Sequence, residues 1–307
     1  MWLESQDFDI VRTSLDTVFF QEFEYDTGIP GIATASTGDL FKVKTTDRQA
    51  YIGEINGTVG LFDAVGEVQE NPVDIPVTAN KYTIQVVDYS KELPISKDLF
   101  DDNMHDVWAE NITQMARMAR ITQDYNAFGL FRNAFTTTLT ADGVALISAS
   151  HVTVKGITVS NSVSGSLSST TLNTAFVSLK EQKNQAGVIV GGNAAILLVP
   201  EKLFKTAIEL TDSALIADSS NNAINVFRSA MGLKVYSSPQ LGAAAGGSDT
   251  AWFLLTKNHS VTRLIRQGIE TALTPWQYSH NRSYTYQANY RESYFVPDYA
   301  GIVGSTG

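Results

Sequence analysis

Four histidines are the first candidates for chemistry in this chain of 307 residues: His105, His151, His259 and His280. No two stand in His-x-x-x-His spacing, and none falls in a recognisable metal-ligand pattern. His105 has Asp101, Asp102 and Asp106 around it, which reads as the solvated acidic face of a helix. Ser148-Ala149-Ser150-His151 sets two serines beside a histidine. A serine nucleophile needs its base close in space rather than in sequence, and no Gly-x-Ser-x-Gly elbow is present. Gly187-Val188-Ile189-Val190-Gly191-Gly192 is glycine-rich, but no Lys-Ser/Thr follows it. It reads as a chain reversal between a helix and a strand, not as a phosphate cradle. Tyr284, Tyr286, Tyr290 and Tyr294, with Arg282 and Arg291, could stack bases. The same period-two spacing is that of an ordinary tyrosine-rich strand face, which is the preferred reading. There is no cysteine, which removes disulfides, thiolate nucleophiles and cysteine-held zinc. These residues predict no catalytic centre, no cofactor site and no metal site.

Charge placement narrows the partners. Net charge is −10. Residues 1–100 hold 17 Asp/Glu against 7 Lys/Arg, and the remaining residues hold 15 of each. All the excess acid therefore lies in the first third. A protein that grips nucleic acid shows a basic stripe to neutralise phosphates, and this chain shows the reverse. No run of about 18 apolar residues is present, so no membrane span is expected. The acidic start argues against a secretory signal.

The elements that would carry these residues are legible in part. Residues 1–37 read as an arm with one short helix near 5–20, ended by Gly28, Pro30 and Gly31. The arm interleaves acids with Trp2, Phe8, Phe19, Phe20, Phe23 and Tyr25, so it must dock on something. Residues 38–90 read as a two-armed β excursion, opened by Leu40 to Lys44 and punctuated by Gly53, Gly57, Gly60 and Gly66. An arm of about 18 residues in β conformation would span roughly 60 Å and needs a neighbour to lie on. Residues 97–135 carry apolar side chains every three or four positions, with Ser96 as N-cap, acids in the first turns and Gly129 near the end. That predicts a helix of about 39 residues, roughly 58 Å long. Val144 to Ile147 is a short strand candidate, and residues 160–169 are a loop by composition. From residue 170 the types alternate: helices at 170–184 and 201–210, strands at 195–199, 233–236 and 252–255, and a turn at 242–248. Residues 280–302 alternate with strand spacing.

This order of parts resembles the tailed-phage major capsid proteins with the Hong Kong 97 phage fold, over nearly the whole chain. Local phrases resemble phage head subunits too: Glu92-Leu93-Pro94-Ile95-Ser96-Lys97-Asp98-Leu99, Ala141-Asp142-Gly143-Val144-Ala145-Leu146, Gly232-Leu233-Lys234-Val235-Tyr236-Ser237-Ser238-Pro239 and Asp298-Tyr299-Ala300-Gly301-Ile302-Val303-Gly304. The resemblance implies an α+β fold in five parts: an N-terminal arm (1–37), an extended β loop and return strand (38–90), a peripheral domain (91–169) including a spine helix (97–135), an axial domain (170–270) and returning peripheral strands (271–307).

It also implies a non-enzymatic subunit that assembles with itself, as hexamers and pentamers of an icosahedral head enclosing double-stranded DNA. Lys42, Lys44, Arg48, Tyr51, Phe62, Glu67, Arg117 and Arg120 are the expected inter-subunit contacts. The arm is expected to meet a basic patch on another copy. Portal and scaffolding proteins, and a decoration protein, are expected partners, with DNA touched weakly and no membrane. The expected location is the virion capsid, assembled in the host bacterial cytoplasm. Many relatives begin with a scaffolding or protease-removed extension, whereas this chain starts on the arm itself, so scaffolding is expected to be separate or unneeded. Some relatives join a lysine to an asparagine, but Lys42, Lys44, Asn281 and Asn289 mark no specific pair. The shell of a cargo-loaded bacterial nanocompartment is the alternative of the same fold, and a hydrolase the alternative of another class.

Overall fold

The computed structural model describes residues 5–24, 32–57, 60–67, 69–73, 78–98, 105–213, 227–228, 232–279 and 281–307. Two sheets and one long helix organise it. The first sheet has four strands in the order β1-β11-β12-β4. Its centre is an antiparallel hairpin of β11 (Thr262–Thr274) and β12 (Ser283–Phe295). Strand β4 (Val87–Ser96) runs antiparallel to β12, from Ser96 opposite Ser283 to Val87 opposite Glu292. Strand β1 (Lys42–Thr45) adds a parallel edge to β11.

The second sheet has five strands in the order β7-β13-β10-β8-β9. Strands β8 (Ala194–Pro200) and β10 (Trp252–Thr256) lie at its middle and read as nearly unbroken apolar runs, because both of their faces are covered. On one side lie α3 (Ser169–Lys180) and α4 (Glu201–Asp212), with Leu172, Phe176, Leu179, Leu197, Trp252 and Val303 in the core between. Helix α3 starts on a capping box: the Ser168 side chain accepts from the Thr171 N–H, and the Thr171 side chain accepts from the Ser168 N–H. Strands β7 (Ser162–Val163), β9 (Lys234–Ser238) and β13 (Ile302–Ser305) complete the sheet.

Helix α2 (His105–Arg132) joins the two sheets. Its 28 residues make a rod of about 42 Å. Trp108, Ile112 and Met115 pack on the first sheet beside Tyr284 and Tyr286. Toward the other end of the rod, Phe128 and Phe131 enter the second core with Phe41, Ile196, Leu198 and Phe253. A rod buried in both cores fixes the angle between the sheets.

Several expectations change here. Residues 97–98 are helical, but 99–104 lie outside the described residues, and α2 ends at Arg132 in a run of turns to 137. Gly129 does not interrupt it. Residues 144–147 form no strand, only an isolated bridge of Leu139 to Ala145, although Leu146 and Ile147 are buried. Strand β11 has no clear period-two signal in the sequence. Its alternation is broken where the pairing register shifts between Ile265 and Glu270, and Arg263, Arg266, Gln267 and Glu270 mask the rest. The β excursion is also shorter than expected. Residues 42–45 belong to the first sheet, and the projecting ribbon is only β2 (Ala50–Asn56) paired with β3 (Thr78–Gln85), roughly 25 Å of paired strand.

Candidate assembly interface

The ribbon of β2 and β3 stands on the body through an aromatic root. Tyr51, Tyr82 and Ile84 pack on Val86, Leu264 and Phe295. The Tyr82 and Tyr51 rings lie 5.7 Å and 6.0 Å from that of Phe295. Gly53 leaves room for the Tyr82 ring to lie across the ribbon, since a Cβ at that position would sit 2.3 Å from it and make the ring move. Across the ribbon Lys81 and Glu54 are ion-paired at 2.9 Å, both exposed and so worth little energetically. Beyond the paired strands the chain opens into a tip. Leu61 is 77% exposed and Phe62 is 104% exposed. Residues 61–65 make no hydrogen bond to any other described residue.

The expected contact residues fall into three groups. Phe62 and Glu67 are on the exposed tip. Lys42, Lys44, Arg48 and Tyr51 surround the root. Lys44 sits over the Tyr51 ring at 5.4 Å, and Nζ is 3.5 Å from its hydroxyl. Burial, with Lys44 next to it, holds the Lys42 ammonium below its ordinary value. Arg48 is exposed in the turn before β2, where its N–H donates to Thr46 Oγ1. Arg117 and Arg120 lie apart on α2. Arg117 Nε donates to Glu22 at 2.5 Å, and Arg120 lends positive charge to Asp124.

The Arg117–Glu22 pair alters the picture of the acidic arm. Helix α1 (Ser5–Phe23) packs on α2 of its own chain, with Leu15 and Phe19 in the core. Asp16 accepts from Tyr286 at 2.8 Å and from Thr271 at 2.7 Å. Asp16 and Glu22 are thus already engaged inside the subunit. The junction after the arm is pinned as well. Asp124, its carboxyl raised by burial, accepts the Ala35 N–H at 2.6 Å. Nearby, Arg263 donates to Glu292 at 2.7 Å and 2.9 Å, and the Tyr294 hydroxyl donates to the same carboxylate at 2.8 Å.

The residue types that could do chemistry are built into the body. His151 is fully buried and stacks on Tyr299 at 4.0 Å. Its Nδ1 meets Asp142 at 2.7 Å and its Nε2 faces the Leu146 carbonyl, so neither nitrogen is turned to a serine. The Ser148 hydroxyl bonds that of Ser150 instead. His259 Nε2 meets the Asp39 carbonyl, and burial lowers its pKa. His280 and the side chain of His105 lie outside the described residues. Tyr284, Tyr286 and Tyr290 are buried, so the tyrosine strand is a core face. Gly187 turns with φ +83, and Gly191 passes so close to α3 that a Cβ would meet the Lys180 carbonyl. Among the described residues no group of three His, Cys, Asp or Glu could hold a metal ion, and no helix is long and apolar enough to cross a membrane.

Comparisons with known proteins follow the same outline. A family model described as phage capsid protein matches residues 80–304. Among solved structures, the capsid of the cyanophage P-SCSP1u is similar with a TM-score of 0.58 at 13% identity, over 92% of this chain and 90% of that one. The capsid of the native GTA particle has a TM-score of 0.55 at 16% identity, over 92% and 93%. The virus-like particle from Pyrococcus furiosus has a TM-score of 0.55 at 9% identity, over 95% and 98%. At such identities the likeness is one of fold. No curated protein sequence matches the chain.

Proposed function

The chain belongs to the phage capsid protein family, as a structural shell subunit with the Hong Kong 97-type capsid fold, and from that premise we propose that it closes an icosahedral tailed-phage head as hexamers and pentamers around double-stranded DNA. One observation carries the reading. The body buries its cores within one chain, while the ribbon ends in a tip whose apolar side chains Leu61 and Phe62 are exposed among the described residues. A ribbon that cannot be stable alone gains its partner surface from a neighbouring copy. Rigid sheets fixed by α2, with a projecting ribbon, suit a shell in which one fold meets neighbours at several angles.

Under this reading the first sheet belongs to the peripheral domain and the second to the axial domain, so β1 and β11 fall on the peripheral side and β7 and β13 on the axial side, across the boundaries at 90, 169 and 270 given above. Lys42, Lys44, Arg48, Tyr51, Phe62 and Glu67 belong to the ribbon contact, and Arg117 and Arg120 to the spine. The net charge of −10 keeps the wall weakly interacting with packaged DNA. Portal, scaffolding and decoration proteins would be its further partners, in a particle assembled in the host cytoplasm.

Electron microscopy of the purified protein tests the assignment. Uniform closed shells are expected, and small discrete oligomers would overturn it. Deleting residues 61–67, which lie outside both ribbon strands, should leave a folded subunit that forms no shells. The likeness to the virus-like particle from Pyrococcus furiosus favours a second reading, a cargo-loaded compartment of the same fold. Particles that co-purify with a protein cargo and no DNA would select it.

A further inference from the structure

His151 and His259 are both fully buried, and they meet opposite kinds of partner. His259 Nε2 faces the Asp39 carbonyl at 3.0 Å, and its Nδ1 accepts the Val261 N–H at 3.3 Å. One nitrogen needs a proton and the other a lone pair, which describes the neutral ring, and burial favours the same form. His151 instead stands between two acceptors. Its Nδ1 lies 2.7 Å from Asp142 Oδ2, and its Nε2 lies 3.3 Å from the Leu146 carbonyl. Against burial, hydrogen bonds from His151, Thr140 and the Val144 N–H hold the Asp142 carboxyl below its ordinary value, so it is ionised and accepts. A neutral ring could donate to only one of the two oxygens and would turn a bare lone pair on the other. The Tyr299 ring, stacked on His151 at 4.0 Å, offers its π face to a cation as well.

The place of His151 in the fold gives its charge a consequence. Residues 296–301 carry the chain from β12 in the first sheet to β13 in the second, and residues 257–261 carry it from β10 to β11. The Ser260 hydroxyl joins these two crossings, donating to the Asp298 carbonyl at 2.5 Å and accepting the Asp298 N–H at 3.3 Å. The turn that bears Asp142 is fastened to the same spot. The Ala141 N–H donates to the Pro297 carbonyl at 2.9 Å, and His151 lies on Tyr299. Gln182 also reaches it, accepting the Gly301 N–H and donating to the Ile302 carbonyl. The titratable groups facing His151 are thus Asp142 from the turn, with Asp298 and Tyr299 from the crossing. Burial raises the Asp298 carboxyl and the Asp142 charge adds to it, so Asp298 takes up a proton before Asp142 does.

We infer that His151 is a buried imidazolium that clasps the Asp142 turn to the crossing between the two sheets, and that this clasp is proton-controlled, tight while both ring protons are present and slack once one leaves. The Nδ1 proton stays with Asp142. Loss of the Nε2 proton leaves the Leu146 carbonyl to Asn161, whose Nδ2 donates to it at 2.7 Å, and takes the positive charge away from Asp142 and from the Tyr299 face. The crossing therefore weakens as pH rises and holds as it falls, until Asp142 itself is protonated. The device belongs to the single subunit, goes beyond the shell assignment and does not depend on it.

Isotope labelling of the histidine ring nitrogens in the unassembled subunit, read by nuclear magnetic resonance, tests the charge. The His151 signals are assigned by their through-space contact with the Tyr299 ring. At neutral pH they should show a proton on both nitrogens, while His259 shows one on Nε2 alone. A bare nitrogen on His151 would overturn the proposal. Asp142→Asn keeps the shape of the partner and removes its charge, and should leave His151 with a single ring proton at the same pH. A ring still doubly protonated in that variant would overturn the clasp to Asp142. Hydrogen exchange of the unaltered subunit reads the switch. Across the pH at which the ring signals report loss of the Nε2 proton, protection of the Ala141 amide, corrected for the intrinsic pH dependence of exchange, should fall about tenfold, the worth of one charge-assisted hydrogen bond. Protection of Leu254, in the middle of the second sheet, should hold. Unchanged protection at Ala141, an equal loss at Leu254, or a ring that keeps both protons until the subunit unfolds in alkali would each refute the switch.

Discussion

The Arg263–Glu292 pair lets one energetic argument be worked through. The side chains are 12% and 2% exposed, and Arg263 grips one Glu292 oxygen with two N–H groups while Tyr294 holds the other. Burial pulls the Arg263 pKa down, but Tyr294 and Glu292 more than offset it, so its pKa is raised. Arg263→Met removes the cation and leaves a buried carboxylate with one tyrosine for company. Stranding a buried charge in this way costs about 3–5 kcal/mol. At about 2 °C per kcal/mol for a chain of this size, the melting temperature should fall by about 6–10 °C. Arg263→Met with Glu292→Leu strands no charge, and should recover to within about 1 kcal/mol of the parent, the remainder being the orphaned Tyr294 hydroxyl. Urea unfolding of the unassembled subunit measures these two variants and Glu292→Leu alone against the parent, and a coupling of at least about 2 kcal/mol is expected between the two positions. A single variant as stable as the parent, or a double variant whose loss is the sum of the two singles, would refute the reasoning.

Three further outcomes follow from local geometry. Gly191→Ala drives a Cβ into the Lys180 carbonyl at the end of α3, and should cost about 1–3 kcal/mol by the same urea assay. Burial alone would raise the Asp142 carboxyl, but hydrogen bonds from His151, Thr140 and the Val144 N–H outweigh it and hold the group below its ordinary value. A depressed carboxylate stabilises above its unfolded pKa and loses that contribution as pH falls through the folded one. The gap between the parent and Asp142→Asn should therefore be about 2 kcal/mol at neutral pH and close below about pH 4 in melts across that range. Ser168→Ala breaks the capping box of α3 and should cost about 1 kcal/mol, seen as a small drop in urea midpoint with an unchanged slope.

What the sequence made legible, and what it hid, divides along one physical line. Patterns that report burial over several turns or a whole strand were readable. The stripe from Trp108 to Phe131 marked α2, and the runs at 194–200 and 252–256 marked the middle of the second sheet. Elements whose identity depends on partners far along the chain were not. Strand β11 hides its alternation behind a register shift, and the boundary of the ribbon depends on β1 pairing with residues more than 200 positions later. The arm was readable as something that docks, but not as docking on its own α2, because Phe19 meets Tyr286 only once the sheet exists.

The mismatches inside the readable part are the more informative ones. Met118, Ile121 and Tyr125 fit the apolar stripe of α2, yet all three are exposed in the subunit. Phe62, in a segment of glycines and acids, is fully exposed too. A periodic apolar pattern records every burial the chain undergoes, including burial against copies of itself, whereas the folded subunit displays only the internal share. Singly exposed apolar residues are ordinary on any surface. Here Met118 borders a groove also lined by Tyr290, and Phe62 lies beyond the paired strands of the ribbon. On the proposed reading, the excess between the pattern in the sequence and the burial in one subunit marks surface left for assembly, and among the described residues it includes positions on the spine helix and at the ribbon tip.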